Sequence, residues 1–271
     1  MRRAAIAIVL AAASLATPRA QDRQAFDTIL DTYVRDGMVY YRALKSDRGK
    51  LDGYLNSLAD VDVAARPREA QISFWLNAYN ALVLRTVIDH YPIAARSNDY
   101  PPHSIRQVPG AFERLTHRVG GSAVTLDQIE QAILTSFHDP RVYFALGRGA
   151  LGGGRLRSEV FTPDKLESQL SEVAAECVSR SACVLVDRDG GKVNASPIFS
   201  WREKDFVAAY ADKAPGAFTN RSPVERAIVA FVEPKLLTIE RDYLSKNANN
   251  FQVTYEKFDW TLNDLTGRGG R

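Results

Sequence analysis

The sequence predicts an α+β fold: a helix-rich single domain with a small, mostly antiparallel sheet packed on a central buried helix. Three observations predict it. Residues 70–91 carry apolar side chains at the helical period. Glycine turns at 120–121 and 190–191 separate short β-type runs, which is typical of hairpins. Helix-start signals recur along the remaining chain.

The central helix is expected to be buried on nearly all faces. Its apolar residues occupy one helical stripe and most positions of the other faces, and Pro92 ends the pattern. Asn77 and Asn80 are three residues apart and therefore lie on neighbouring positions of one surface. A buried amide without a partner costs about 1–3 kcal/mol. We therefore expect both amides to have assigned hydrogen-bond partners.

The other elements follow from apolar periodicity, capping residues and turn residues. In chain order, the sequence predicts helices over 22–36 and 51–58, a hairpin turning at 120–121, a capped helix from Thr125, an interior strand over 141–146, a glycine loop over 147–154, a helix after Thr162, a hairpin around 189–191, helices over 201–210 and 222–232, and a last strand within 251–260. Residues 261–271 are expected to be a disordered tail.

The N-terminus has the pattern of a secretory signal peptide. Two arginines precede an apolar run at 4–16, which ends in the small-residue exit Pro18-Arg19-Ala20. That run, about 13 residues, is shorter than the roughly 20 needed to cross a bilayer. We predict a signal peptide over 1–20, cleavage near Ala20, one domain over 21–260, and a periplasmic or secreted protein that does not span the membrane.

Charge argues against a nucleic-acid partner. The formal net charge of +3 becomes zero once residues 1–20 are removed, because they contain Arg2, Arg3 and Arg19 and no acidic residue. Acidic and basic residues are interspersed in the rest of the chain, so no basic surface is expected. The sequence identifies no particular partner.

Cys177 and Cys183 are the two cysteines of the chain. In an exported protein they are candidates for a small disulfide loop, if their Cα atoms come within about 7 Å. Two unpaired thiols or a redox pair are the alternatives. The spacing is not the C-x-x-C of redox proteins, so the redox alternative is the weakest.

Cofactor and metal motifs are weak. Residues 147–152 match G-x-G-x-x-G, but further glycines and an irregular stretch follow where a dinucleotide site opens into a helix. The four histidines have no metal-ligand spacing. We therefore predict no cofactor and no metal. Glu130, beside two isoleucines, is expected to be a structural partner of Arg141 or of an asparagine in the central helix.

Several segments together resemble the exported family called domain of unknown function 547. The matching segments are GMVYYRALKSD, FWLNAYNALVL followed by YP, LDQIEQAIL, DPRVYFAL, FTPDKLESQL, SPIFSWREKDF and YEKFDWTLN. They occur in order over nearly the whole mature chain. The resemblance implies no particular reaction, because the family has no assigned activity.

This chain departs from the family pattern at its cysteines and histidines. Relatives typically read HFALxCGAxSCPP after the helix segment IEH. Here Tyr143 and Gln131 stand at the two histidine positions, and Arg148 and Gly153 at the two cysteine positions. If relatives use thiol or Cys–His chemistry there, this chain lacks the groups for it.

Eight residues form a candidate pocket or buried polar network: Asn77, Asn80, Glu130, Arg141, Tyr143, Arg148, Trp201 and Asp205. In a pocket between the central helix, the interior strand and the glycine loop, Arg148 would bind an acidic or carbonyl group of a small, envelope-derived ligand. In a network, these residues would hold the fold.

The leading hypothesis is a non-catalytic exported binding or scaffold protein. The alternatives are a cell-envelope hydrolase or transferase and a thiol-redox protein. A papain- or transglutaminase-like arrangement is expected only by fold-level analogy.

Overall fold

The computed structural model describes residues 18–266, and helices make up about 50% of that part of the chain. The α-helices are α1 (Pro18–Tyr33), α2 (Tyr41–Ser46), α3 (Gly49–Ser57), α4 (Arg68–His90), α5 (Leu126–Gln128), α6 (Leu166–Ser179), α7 (Pro197–Trp201), α8 (Glu203–Tyr210), α9 (Pro223–Val232) and α10 (Thr238–Lys246). A π-helical turn spans Ile129–Ile133, and short 3-10 turns lie at Ile105–Gln107, Thr135–Phe137, Pro140–Phe144, Ala211–Lys213, Gly216–Phe218 and Glu233–Lys235.

The strands form three small sheets. They are β1 (Val34–Arg35), β2 (Met38–Val39), β3 (His117–Val119), β4 (Ser122–Val124), β5 (Val184–Asp187), β6 (Lys192–Ala195) and β7 (Gln252–Tyr255). The pairs β1–β2, β3–β4 and β5–β6 are antiparallel, whereas β7 is parallel to β6. Both predicted hairpins are confirmed, and so is the helix-rich α+β class.

The central helix α4 is buried as its periodicity predicts. Every residue of 72–88 except Arg85 is buried. Helices α2 and α3 pack against α4, as do α5 and the π-helical turn. The β3–β4 hairpin approaches α4 closely, since a Cβ at Gly120 would lie 3.3 Å from the Trp75 ring. The three-stranded sheet packs chiefly against α6.

The interior strand predicted at 141–146 is wrong in type. Pro140–Phe144 is a 3-10 helix whose N-cap Asp139 accepts a hydrogen bond from the Arg141 amide. Pro140 fixes a helical φ at the first position of this turn. An apolar run this short does not separate a buried strand from a buried helix by period alone, so only its burial was predictable.

The tail predicted from residue 261 is ordered as far as residue 266. Leu262, Asn263 and Asp264 are buried. The Asn263 amide donates to the Gly37 carbonyl at 2.8 Å, and Asp264 accepts from the Tyr91 hydroxyl at 2.7 Å. The expected disorder is therefore wrong for 261–266.

Two predictions fall on residues at the ends of the chain. Residues 1–17, most of the predicted signal peptide, lie outside the described residues, as do 267–271. Within 18–266, no helix has the length and apolar character needed to cross a membrane.

Candidate functional site

A buried ion pair lies beside the central helix. Arg148 Nη2 is 2.6 Å from Glu130 Oε1, and Arg148 Nε donates to Glu130 Oε2 at 3.2 Å. The two residues are only 2% and 5% exposed. The Tyr79 hydroxyl, from α4, also donates to Glu130 Oε2 at 3.2 Å. Glu130 thus pairs with Arg148 and Tyr79, and not with Arg141 or an asparagine as predicted.

Two further N–H groups of the Arg148 guanidinium are directed at protein carbonyls. Its Nη1 donates to the carbonyl oxygens of Tyr143 at 3.0 Å and Leu146 at 3.4 Å. Burial alone would lower the pKa of Arg148, but the charge and hydrogen bonds of Glu130 outweigh it and raise that pKa. The guanidinium therefore stays charged, and protein groups engage it where we expected a ligand to bind.

Asn77 and Asn80 each form a reciprocal clamp on the backbone of a distant segment. Asn77 donates to the Phe161 carbonyl at 2.8 Å and accepts from the Phe161 amide at 2.9 Å. Asn80 donates to the Ala145 carbonyl at 3.0 Å and accepts from the Gly147 amide at 2.9 Å. We call Asn77, Asn80, Glu130 and Arg148 the central polar cluster.

Unusual backbone lies on both sides of the ion pair. The predicted capping box is present: Thr125 Oγ1 accepts from the Gln128 amide, and the Gln128 side chain accepts from the Thr125 amide. The helix then widens into the π-helical turn that carries Glu130, and such turns are frequent at functional sites. Arg148 has φ +48°, in the left-handed region that disfavours non-glycine residues.

A second polar group surrounds Arg202 and reaches the surface. The Tyr143 hydroxyl donates to Asp205 Oδ2 at 2.9 Å, and Arg202 pairs with the same oxygen at 2.8 Å. Arg202 also bonds Gln131 and Thr135, and its guanidinium lies 4.1 Å from the Tyr143 ring centroid. Burial is the main cause that raises the pKa of Tyr143 to about 12. Its hydroxyl is therefore protonated near neutral pH and a weak nucleophile.

The glycine loop directs its backbone amides at the protein. The amides of Leu151 and Gly152 donate to the carbonyls of Thr261 and Asp259 at 2.9 and 2.8 Å. A phosphate group would need such amides to be free. A Cβ at Gly153 would lie 2.5 Å from the Gly147 carbonyl oxygen, so the cysteine of the family pattern does not fit this loop.

The loop supports a column of aromatic side chains: Trp201, Phe258, Trp260 and Phe112. Successive ring centroids are 4.9, 4.4 and 5.7 Å apart. Arg106 closes one end, 4.5 Å from the Trp260 centroid. Trp201 forms the other end and is 48% exposed.

Four of the eight predicted residues thus lie apart from the central polar cluster. Trp201 belongs to the aromatic column, and Arg141 pairs with Asp139 and Glu167, both at 2.7 Å. Tyr143 and Asp205 belong to the group around Arg202. Of the other four, Glu130 and Arg148 are bonded to each other, and Asn77 and Asn80 are buried on α4 with backbone groups of distant segments as partners.

Several residues of the site were not predicted from the sequence. Arg202 directly follows the predicted residue Trp201 in the segment SPIFSWREKDF. Phe258 and Trp260 alternate with a polar residue, a pattern that could have indicated an exposed edge. Asp127 is a further one: partial burial, followed by the charge of Glu113, raises the pKa of its carboxyl.

Cys177 and Cys183 form a disulfide with a Cα–Cα separation of 5.3 Å, as predicted. They are 4% and 8% exposed, so an external thiol has poor access to the bond. Among residues 18–266, no group of three or more histidine, cysteine or carboxylate side chains is arranged to hold a metal ion.

Comparison with known families places part of the chain. Residues 63–178 match the model of a family described as "Protein of unknown function, DUF547". This range contains α4, the β3–β4 hairpin, Glu130, Arg148 and most of α6. No curated protein matches the chain, and no solved structure matches it.

Proposed function

Because the chain belongs to the DUF547 family, whose description names no activity, we propose a function from its own residues. The protein is a non-catalytic binding protein, exported from the cytoplasm. Its central polar cluster holds the scaffold, and its ligand binds at the Trp201 end of the aromatic column.

The exposure of Trp201 is the observation that carries this proposal. Large aromatic rings are enriched at binding surfaces, because they offer much contact area and lose little conformational freedom. Trp201 is 48% exposed, yet Phe258 supports it from below at 4.9 Å. The ring is therefore preorganised, which lowers the entropic cost of binding.

The central polar cluster supports a structural role for its charges. A general acid or base must reach a substrate within hydrogen-bond distance. Glu130 is 5% exposed and engaged by Arg148 and Tyr79, so a substrate would have to displace a buried ion pair to reach it. The Tyr143 hydroxyl is protonated near neutral pH and is therefore a weak nucleophile.

Two observations support export. The N-terminal sequence has the pattern of a signal peptide. The Cys177–Cys183 disulfide is of a kind that persists in oxidising compartments. N-terminal sequencing of the protein recovered from the periplasm or medium tests this part, with Gln21 as the expected first residue. A full-length chain in the cytoplasm would contradict export.

Ligand screening by thermal shift tests the binding function. Small acids, sugars and envelope fragments are screened against the wild type, Trp201→Ala and Leu237→Ala. Leu237 is 69% exposed at the start of α10 and is the control for a lost apolar surface residue. Hits should disappear with Trp201→Ala and persist with Leu237→Ala. Hits that persist with Trp201→Ala would contradict the proposal.

Asp127 favours the rival function, a cell-envelope hydrolase or transferase. A carboxyl whose pKa is raised by burial and by a second carboxylate is a candidate general acid. Turnover of envelope polymers by the wild type that Asp127→Asn abolishes at unchanged stability would favour the enzyme. Equal product release by wild type and variant would remove Asp127 from consideration.

A further inference from the structure

A second exposed aromatic ring, that of Tyr255, lies near the segment that carries Trp201, because burial and then the charge of Glu203, two residues after Trp201, raise the pKa of Tyr255. Tyr255 ends β7 in register with Ala195 of β6, and Ser196 then caps α7, whose last residue is Trp201. Helix α7 has five residues, or about 7.5 Å at 1.5 Å per residue. Tyr255 is 40% exposed, and Phe258, three residues further on, contacts Trp201. We call Trp201, Tyr255 and Phe258 the exposed aromatic face.

Charges of both signs accompany this face. Glu203 and Lys204 follow Trp201 by two and three residues, and Glu256 and Lys257 lie between Tyr255 and Phe258; all four are exposed. Each short segment therefore contributes one carboxylate and one ammonium group. The charges of these four residues cancel, so together they give no net attraction to an anion or a cation.

This combination restricts the chemistry of the occupant. A hydrophobic protein partner would leave four charged side chains at the edge of a small apolar area, whereas interface cores are depleted of Lys and Glu. A neutral sugar instead presents C–H groups to aromatic rings and hydroxyl groups to donors and acceptors alike. Carboxylates accept hydrogen bonds from hydroxyls, and ammonium groups donate to them.

We propose that the exposed aromatic face binds a neutral oligosaccharide, with one sugar ring on Trp201 and a neighbouring ring reaching Tyr255. This inference rests on the proposed binding function and adds the class of ligand. Carboxylates and ammonium groups on both flanks orient the hydroxyls of the chain of sugars. Phe258 holds Trp201 in place from below.

Titration calorimetry of the mature protein tests the proposal. The probes are an uncharged tetrasaccharide of N-acetylglucosamine, an uncharged tetrasaccharide of glucose, and tetramethylammonium chloride as a cation of similar apolar character. The variants are Trp201→Ala, Trp201→Phe, Tyr255→Ala and Leu237→Ala. Thermal unfolding of each variant establishes that it folds.

We expect at least one tetrasaccharide to bind. Trp201→Ala should weaken it more than tenfold and Tyr255→Ala by a smaller factor. Trp201→Phe should retain part of the affinity, because it keeps a ring, and Leu237→Ala should retain all of it. Added salt should change the affinity little, because the ligand is uncharged.

Three results would overturn the proposal. Tetrasaccharide binding that survives Trp201→Ala would place the sugar elsewhere. Binding of tetramethylammonium with neither sugar would overturn the ligand class and leave the proposed binding function standing. If no probe binds while the thermal-shift hits still depend on Trp201, the sugar class is likewise wrong; if those hits are also absent, the binding function fails with it.

Discussion

The central polar cluster and the exposed aromatic face are built in opposite ways. The cluster places a full ion pair where solvent does not reach, whereas the face leaves a tryptophan half in water. Removing one partner of a buried ion pair leaves an uncompensated charge, so such residues are costly to change. An exposed ring makes fewer contacts and is free to meet a ligand. Under the proposed function, the first region provides stability and the second provides recognition.

The glycine loop connects these two regions. A change in one region should affect the other more than the reverse. Arg148 enters the cluster from the loop, while the amides of Leu151 and Gly152 hold the segment that carries Trp260. Damage to the cluster should therefore reach the aromatic column through the loop. Damage at Trp201, the outer end of the column, should stay local.

The largest expected effect is that of Arg148→Ala. Loss of this guanidinium leaves Glu130 buried and unpaired, which costs about 3–5 kcal/mol of unfolding free energy. Denaturant unfolding measures it. The control is Arg118→Ala, because the Arg118–Asp60 pair is 67% and 73% exposed at its side chains, where such pairs contribute about 0–1 kcal/mol. Equal effects of the two variants would remove the distinction between buried and exposed pairs.

Asn80→Ala should have the next largest effect. Its amide satisfies the Ala145 carbonyl and the Gly147 amide, and buried groups left without partners cost about 1–3 kcal/mol. Asn56→Ala, at an exposed position of α3, makes the same chemical change in a helix and controls for helix propensity. Asn77→Ala should behave like Asn80→Ala. If both lose no more stability than Asn56→Ala, the clamps do not hold the fold.

Trp201→Ala should cost less stability than either. The lost contact is chiefly its tilted ring contact with Phe258, and aromatic pairs contribute about 0.5–1.5 kcal/mol beyond area burial. The same variant should lose ligand binding. A loss of stability as large as that of Arg148→Ala would show that Trp201 is structural, and would contradict the division between the two regions.

The smallest effect concerns His117, which is half-buried and so intermediate between the two regions. Burial, together with the charge of Arg85, lowers the pKa of His117 in the folded state. The neutral form is therefore favoured by folding, and its stabilisation is present above the unfolded pKa of about 6.5 and lost as the pH falls through the lower folded value.

Unfolding free energies at pH 7.5 and 5 measure this dependence. His117→Gln should reduce the loss of stability on acidification, whereas His138→Asn, at an exposed position, should leave it as in the wild type. If His117→Gln loses as much unfolding free energy on acidification as the wild type does, His117 is not the cause of the pH dependence.

The sequence pattern predicted those structural features that depend on residues close together in the chain. The burial of α4, both amides, the capping box at Thr125 and both hairpins follow from spacings within a few residues. The pairing of Arg148 with Glu130 could not be predicted in this way, because it joins residues 18 apart and depends on a left-handed backbone at Arg148. The ordered segment 261–266 likewise depends on contacts with distant parts of the chain.

The environment of a single apolar side chain or of a short apolar segment is the other feature that the sequence could not predict. Trp201 has a large apolar side chain of the kind found in cores, yet at the end of α7 it is exposed. The apolar run at 141–146 is buried as expected but forms a 3-10 turn, since Asp139 and Pro140 decide its backbone. In both cases the local pattern gave the character of the residues and not their environment.

The most direct test of the central claim uses the three tryptophans as reporters of position. Their indole N–H signals are followed by NMR while the tetrasaccharide that binds best, or failing that the strongest thermal-shift ligand, is titrated. The account predicts the largest shift for Trp201, a smaller one for Trp260 deeper in the column, and none for Trp75 in α4. A ligand that shifts Trp75 most, or that binds without shifting Trp201, would contradict it.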